Sequence, residues 1–320
     1  MDLSEYTLGP NQQNKRIFVA GHKGMVGSAI VRSLKALGHE NFILRTSSEL
    51  DLRDTSEVSA FFESEKPEIV YLAAAKVGGI LANMRYPADF LIDNLAITSN
   101  TIRAAHKYGV KKLLFLGSSC IYPKHAQQPI SESALLTGEL EPTNEPYALA
   151  KIAGIKMCEA YRAQHGCNFI SAMPTNIYGP GDNYHLENSH VLPSFIRRFY
   201  EAKQIDQSEV ICWGSGEPMR EFLHVDDLAE ACIFLMDNYD DDGWVNIGTG
   251  LDLRIKDLAN MVADVIGYKG EIKWDKSKPD GTPRKLLNVG LINSLGWKAS
   301  IDLRKGIESV CEKYAEEQAG

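Results

Sequence analysis

A β-branched run that ends in glycine-spaced residues constrains this chain more than any other feature. Arg16-Ile17-Phe18-Val19-Ala20 passes directly into Gly21-His22-Lys23-Gly24-Met25-Val26-Gly27, after which the pattern turns helical. A buried strand that hands over to a helix through glycines lets the backbone approach a diphosphate, with the helix N-terminus facing the charge. The spacing is GxxGxxG rather than GxGxxG, and a glycine triplet alone also fits an ordinary tight turn. Its place after the first strand favours a dinucleotide site, so Gly21, His22, Lys23, Gly24, Met25, Val26 and Gly27 are expected to cradle a cofactor.

From residue 15 to about 173, short apolar runs alternate with helical patterns, as in a parallel sheet covered on both faces. Candidate strands are Arg16 to Ala20, Phe42 to Leu44, Ile69 to Leu72, Leu113 to Leu116 and Phe169 to Met173. Pro87 and Pro146 are good first-turn residues for two long helices. Past residue 174 the elements shorten: a helix after Pro193, a strand around Val210 to Cys212, and helices at 226–236, 255–266 and 303–315. The expected fold is α/β, a doubly wound parallel sheet with a smaller C-terminal α/β substrate lobe. Residues 1–14 are expected as a flexible tail, 15–175 as the dinucleotide domain with crossovers to the second lobe, and 176–320 as mainly the substrate domain.

The 320 residues, 44% hydrophobic and 24% charged, suffice for a large core. A net charge of -8 argues against a nucleic-acid or acidic-membrane partner, so any anionic ligand must be held by placed residues. The six cysteines form no CxxC pair and no metal-like spacing, and no metal is expected. With no signal-peptide start and no membrane-length apolar run, the expected location is the cytoplasm.

The end of the second strand selects the dinucleotide. An NAD site usually has an acid there for the ribose 2′-hydroxyl, whereas Leu44-Arg45-Thr46-Ser47 has none. With Arg45 there and Lys23 in the glycine loop, NADP is expected. Asp51 with Leu52 suits the adenine edge, although an aspartate there also fits a helix cap. Ala73 and Ala75 offer small side chains against which a cofactor can lie, and tight helix packing explains them equally well.

Tyr147 and Lys151 stand four residues apart, on one face of a helix. An ammonium there can lower the phenol pKa and anchor a ribose, giving a proton donor for carbonyl reduction. Alone, such a pair is more often a half-buried ring beside a snorkelling cation.

Taken together, the glycine loop, the Ser118-Ser119 pair, Tyr147 with Lys151, the Arg220 to Asp227 segment and Asn246-Ile247-Gly248 resemble the extended short-chain dehydrogenase/reductase family. Four longer motifs, Lys76 to Ile80, Gly117 to Pro123, Pro142 to Tyr147 and Lys278 to Lys285, are similar to the GDP-L-fucose synthase family within it. The resemblance implies a Rossmann-type domain binding NADP, a homodimer, and a GDP-linked 4-keto-6-deoxy-D-mannose substrate. That substrate would be epimerised at C3 and C5, then reduced at C4 by NADPH to GDP-L-fucose. Tyr147, Lys151 and Ser118 would then serve the reduction, with Cys120 as base and His190 as acid for the epimerisation. Cys120 also fits a buried small hydrophobe, and His185 competes with His190.

By the same resemblance Leu116, Gly117, Ser118, Ser119, Pro174, Thr175, Asn176, Ile177 and His190 would adjoin the cofactor. A guanidinium fork fits phosphate, so Arg198 and Arg220 are candidates for the diphosphate, with Trp213 as an apolar wall. Asp280 joins the substrate set by resemblance. Ser47 and Lys23 stand where some family members carry arginine, which implies a weaker hold on NADP or less strictness against NAD. A dehydratase would want an acid after Ser118, and a 4-epimerase would keep NAD bound; Ser119-Cys120 fits neither well.

Overall fold

The structure, a computed structural model, describes residues 8–9, 12–185, 189–278 and 280–319. The chain begins β1 (Ile17–Ala20), α1 (Met25–Ala36), β2 (Phe42–Ile43), α2 (Thr55–Glu65), β3 (Ile69–Leu72), α3 (Ile80–Arg85), α4 (Pro87–Lys107), β4 (Lys112–Leu116), α5 (Glu145–His165) and β5 (Asn168–Pro174). It continues through β6 (Asn176–Tyr178), α6 (Val191–Gln204), β7 (Glu209–Trp213), β8 (Met219–His224), α7 (Val225–Asn238) and β9 (Trp244–Ile247). The last elements are β10 (Asp252–Arg254), α8 (Ile255–Ile266), β11 (Glu271–Asp275), β12 (Arg284–Lys285), α9 (Gly290–Leu295) and α10 (Leu303–Ala319).

Six strands form one parallel sheet in the order β2-β1-β3-β4-β5-β9. All of β1, β3 and β4 is buried, which is why these strands read as continuous apolar runs rather than alternating ones. Helices α1 and α7 pack as one layer, and α2, α4 and α5 as another. After β1 the chain turns to β2 on one side and returns to β3 on the other. That reversal opens a crevice between the carboxyl ends of β1 and β3, where α/β sheets bind ligands.

The second lobe has its own core, with Phe195, Phe199, Leu258 and Val262 at its centre. Strand β8 pairs β10, β12 and β6, and β7 pairs β11.

Two expectations change. The substrate half returns to the large sheet: β9 pairs β5 in parallel, Ser171 opposite Trp244 through Pro174 opposite Ile247. Its four residues include the polar Asn246, so its apolar signal is too short to read. The side chain is satisfied inside the protein, accepting from the Tyr122 hydroxyl at 2.6 Å and donating to the Ile130 carbonyl at 3.0 Å.

The tail also ends earlier than residue 14. Gln12 is fully buried and donates to the Ile233 carbonyl at 3.1 Å, while the Gly9 N–H donates to Asp237 at 3.0 Å. Of that tail, residues 1–7, 10 and 11 lie outside the described residues.

Helix α5, which carries Tyr147 and Lys151, is seated on β4 through Gly154. A Cβ on Gly154 would stand 2.4 Å from the Phe115 ring. Alanine normally favours a helix interior over glycine by about 1 kcal/mol. Here overpacking, which typically costs about 1–3 kcal/mol, wins. Gly154→Ala is therefore expected to lower the urea midpoint, and a raised midpoint would show that α5 moves freely on β4.

Candidate functional site

One cleft of about 1070 Å³ runs from the glycine loop, past the ends of β4 and β5, to the second lobe. Every cofactor, catalytic and substrate candidate named above lines it, whereas His185 does not. The geometry therefore separates His190 from its competitor.

At the cofactor end, Gly21 has φ +83°, and a Cβ on it would meet the Ala74 backbone at 3.0 Å. A Cβ on Gly27 would stand 2.2 Å from the Gly21 carbonyl oxygen, so both positions require glycine. Gly24 caps α1 without any side-chain hydrogen bond, and the His22 Nδ1 is buried without a partner at the same turn. A close backbone, an uncapped helix start and an orphaned ring nitrogen together suit the diphosphate of a dinucleotide.

The second strand's end departs from the sequence reading. Arg45 is tied to Glu65 by an ion pair and to the Leu44 carbonyl at 3.0 Å. An acid does follow, four residues on. Glu49 folds back to accept from the Thr46 N–H and hydroxyl, both at 2.7 Å, and these bonds, helped by Arg45 and Lys23, hold it below the usual carboxylate range. Asp51 is gripped by Arg53 at 2.8 to 3.2 Å. It is not the helix cap: that residue is Asp54, which accepts from Ser56 and Glu57.

Midway along the cleft, the end of β4 delivers Gly117 and Ser118, and α5 delivers Tyr147 and Lys151. A Cβ on Gly117 would stand 2.2 Å from the Met173 sulfur, so a side chain there would need the flexible end of Met173 to move. The Ser118 Oγ accepts from the Cys120 N–H at 3.4 Å, which fixes the short turn Ser119–Ile121. Lys151 is buried and donates to the Leu116 carbonyl at 2.6 Å, with its Nζ 5.7 Å from the Tyr147 ring centre.

Burial pushes Lys151 down to about 8, with Cys120 opposing. Burial also pushes the Tyr147 phenol well above its usual value; Cys120 adds to this, and a hydrogen bond with Ser118 opposes it. The expected depression of the phenol by Lys151 is thus reversed within the protein chain. Desolvation outweighs a cation that is already donating to Leu116. A phenol kept protonated is an acid, as reduction needs.

Burial likewise raises the Cys120 thiol, while Lys285, a hydrogen bond with Ser118 and Lys151 pull it down. His190 opens onto the cleft at the start of α6, and enclosure by the surrounding protein, with Lys285, lowers its imidazole. Lys285 is the residue that sequence reasoning missed. It closes the Lys278–Lys285 motif, but its position comes from β12, two residues that pair with β8 and set Lys285 opposite Arg220.

At the far end, Arg198 donates to the Ser194 hydroxyl and the Ile211 carbonyl, both at 3.1 Å, and lies 5.6 Å from the Trp213 ring. Lys278 lies 5.6 Å from the same half-exposed ring. Arg220 is half-buried, and desolvation lowers it against the pull of Asp280 and Glu141. Asp280 accepts from the Ser215 N–H and hydroxyl, both at 2.7 Å, and so braces the turn at Gly214. Asn176 is held by the Glu221 carbonyl at 2.8 Å, and the buried Glu221 carboxylate accepts from Gly250 and Leu287. Among the described residues no group of three His, Cys, Asp or Glu could hold a metal ion.

The sequence matches the NAD dependent epimerase/dehydratase family over residues 17–248. It is 61% identical over 305 residues to "Putative GDP-L-fucose synthase 2" of Arabidopsis thaliana, covering 95% of this chain and 93% of that one. It is 55% identical over 314 residues to the GDP-L-fucose synthase of Escherichia coli (strain K12), covering 95% and 98%. The solved structure of a GDP-L-fucose synthetase from Naegleria fowleri bound to NADP is similar with a TM-score of 0.89 at 27% identity, covering 98% of this chain and 97% of that one. The chain belongs to the GDP-L-fucose synthases of the NAD dependent epimerase/dehydratase family.

Proposed function

We propose that this protein converts GDP-4-keto-6-deoxy-D-mannose to GDP-L-fucose, epimerising C3 and C5 and then reducing C4 with NADPH. The observation that carries the reading is the meeting of Ser118, Cys120 and Tyr147 at the end of β4, where Ser118 hydrogen-bonds both neighbours and Cys120 lies near enough to raise the phenol.

The C4 ketone acidifies the protons at C3 and C5. Cys120 removes a proton as thiolate, helped by Lys285 and Lys151, and His190 returns one from the other face. Ser118 and Tyr147 hydrogen-bond the enolate oxygen meanwhile. Bound NADPH supplies the hydride for C4. Tyr147 then protonates the oxygen, Ser118 holds it, and Lys151 keeps the local geometry through Leu116.

The glycine loop would hold the diphosphate of NADP, with Lys23 supplying positive charge for the 2′-phosphate and Arg45 able to join it only by leaving Glu65. Leu52, Ala73 and Ala75 line the same cleft and would flank the cofactor, and Pro174 to Ile177 would adjoin its nicotinamide. Arg198 and Arg220 take the diphosphate of the GDP-sugar beside Trp213, and Asp280 braces that wall.

The protein works as a homodimer through α4 and α5, which pack side by side and expose Ile92 and Leu149. All six cysteines are free thiols, which supports a reducing, cytoplasmic setting. No described helix is long and apolar enough to cross a membrane.

NADPH oxidation is expected only when the 4-keto-6-deoxy GDP-sugar is present, faster than NADH oxidation, with a product of L-fuco configuration. Turnover of GDP-mannose itself, or of no GDP-linked keto sugar at all, would contradict the assignment.

A further inference from the structure

The Lys76-Val77-Gly78-Gly79-Ile80 motif has so far no role, although Lys76 to Gly79 line the cleft. The residue that organises it is Asn83 on α3. Asn83 is 6% exposed, and its Nδ2 donates to the Gly78 carbonyl at 2.8 Å and the Gly79 carbonyl at 3.1 Å. Both amide hydrogens are thereby engaged, which fixes the orientation of the amide and leaves Oδ1 as a pure acceptor. That Oδ1 is buried and has no partner, yet Asn83 lines the cleft.

A buried acceptor without a donor costs about 1–3 kcal/mol, so such an atom in a cleft wall points to a ligand donor. A second unpartnered acceptor, Oδ1 of Asn144, lines the same cleft, and α3 packs against the short turn Pro142–Asn144 that carries it. This wall adjoins the reacting centre. Asn144 precedes Tyr147 by three residues, and the Phe90 ring, 6.2 Å from the Tyr147 ring, is the surface a Cβ on Gly78 would touch at 3.1 Å. The nearest donors on a hexose whose C4 carbonyl meets Tyr147 are its C2 and C3 hydroxyls.

We propose that Asn83 is a sugar-positioning residue, its side-chain oxygen accepting a hydrogen bond from the C2 or C3 hydroxyl of the hexose, with Asn144 beside it on the same wall. The proposal rests on the GDP-sugar reading and adds to it the residue that sets the ring's orientation before proton abstraction.

The test compares wild-type and Asn83→Ala for kcat/KM of NADPH oxidation with the full 4-keto-6-deoxy sugar and with its 2-deoxy and 3-deoxy analogues. NADPH affinity serves as the folding control. Asn83→Ala is expected to lose roughly tenfold or more on the full sugar and on one analogue, and nothing further on the analogue that lacks the held hydroxyl. Equal losses on all three sugars would reduce Asn83 to a support for the Gly78-Gly79 loop and overturn the proposal. Should the variant not fold, the wild-type enzyme still decides: one deoxy analogue is expected to lose roughly tenfold, and indifference to both would overturn the proposal. Wild-type turnover of the full sugar is measured first; its absence removes the functional reading itself, whereas turnover with equal losses removes this proposal alone.

Discussion

Tyr147→Phe is expected to cut NADPH oxidation by about 10²- to 10⁴-fold, the usual size of a lost general acid, while NADPH affinity stays within about twofold. The physical reason is the pair of opposed shifts at the end of β4. Burial keeps the phenol protonated, and the same burial brings Lys151 down to about 8. Phenylalanine preserves the ring's edge-on contact with Phe90 but offers no proton to the C4 alkoxide. The variant should also slow proton exchange at C3 and C5 less severely than reduction, because Ser118 still donates to the enolate oxygen. Rapid mixing with NADPH, with exchange followed separately by NMR, checks both. Full reduction by the variant would move the proton donor elsewhere.

Cys120→Ser has the second large effect, and it should divide the reaction. Serine is far too weak an acid to act as the base at neutral pH, so solvent deuterium should cease to enter at C3 and C5, a loss of about 10²-fold or more. NADPH should bind as before. The ionisations add a pH signature in the wild-type protein. The proposed roles need Cys120 without its proton and His190 with one, yet burial raises the thiol, and the protein enclosing the cleft, with Lys285, lowers the imidazole.

As pH rises between those two values, the thiolate fraction grows by the factor by which the imidazolium fraction shrinks. Their product is constant. Since the thiol lies above its ordinary 9.0 and the imidazole below its ordinary 6.5, wild-type exchange should be flat across the window from 6.5 up to about 8, where Lys151 loses the charge that favours the thiolate. A sharp bell inside it would contradict the two roles.

Much of this arrangement was legible in the sequence, for identifiable reasons. Strands buried on both faces, such as Ile69–Leu72, announce themselves as unbroken apolar runs, and a glycine loop after the first of them marks the crevice. Tyr147 and Lys151 were placed on one face by helical spacing alone. What the sequence hid were features decided by tertiary contact. Strand β9 has four residues and a buried asparagine, so nothing local marks it as part of the large sheet. Lys285 enters the centre only because β12 pairs with β8. The direction of the Tyr147 shift depends on how dry the cleft wall is, which a spacing of four residues does not encode. The oxygen of Asn83 gains meaning only once its two amide hydrogens are seen to be used.

On the reading proposed above, one cleft both epimerises and reduces. Running the wild-type reaction in D₂O with unlabelled NADPH and locating the label in the isolated nucleotide sugar tests it most directly. Deuterium at C3 and C5, protium at C4 and L-fuco configuration are the expected result. A C4-reduced product with no deuterium at C3 or C5 would leave Tyr147 and Lys151 a reductase and remove Cys120 and His190 from the chemistry.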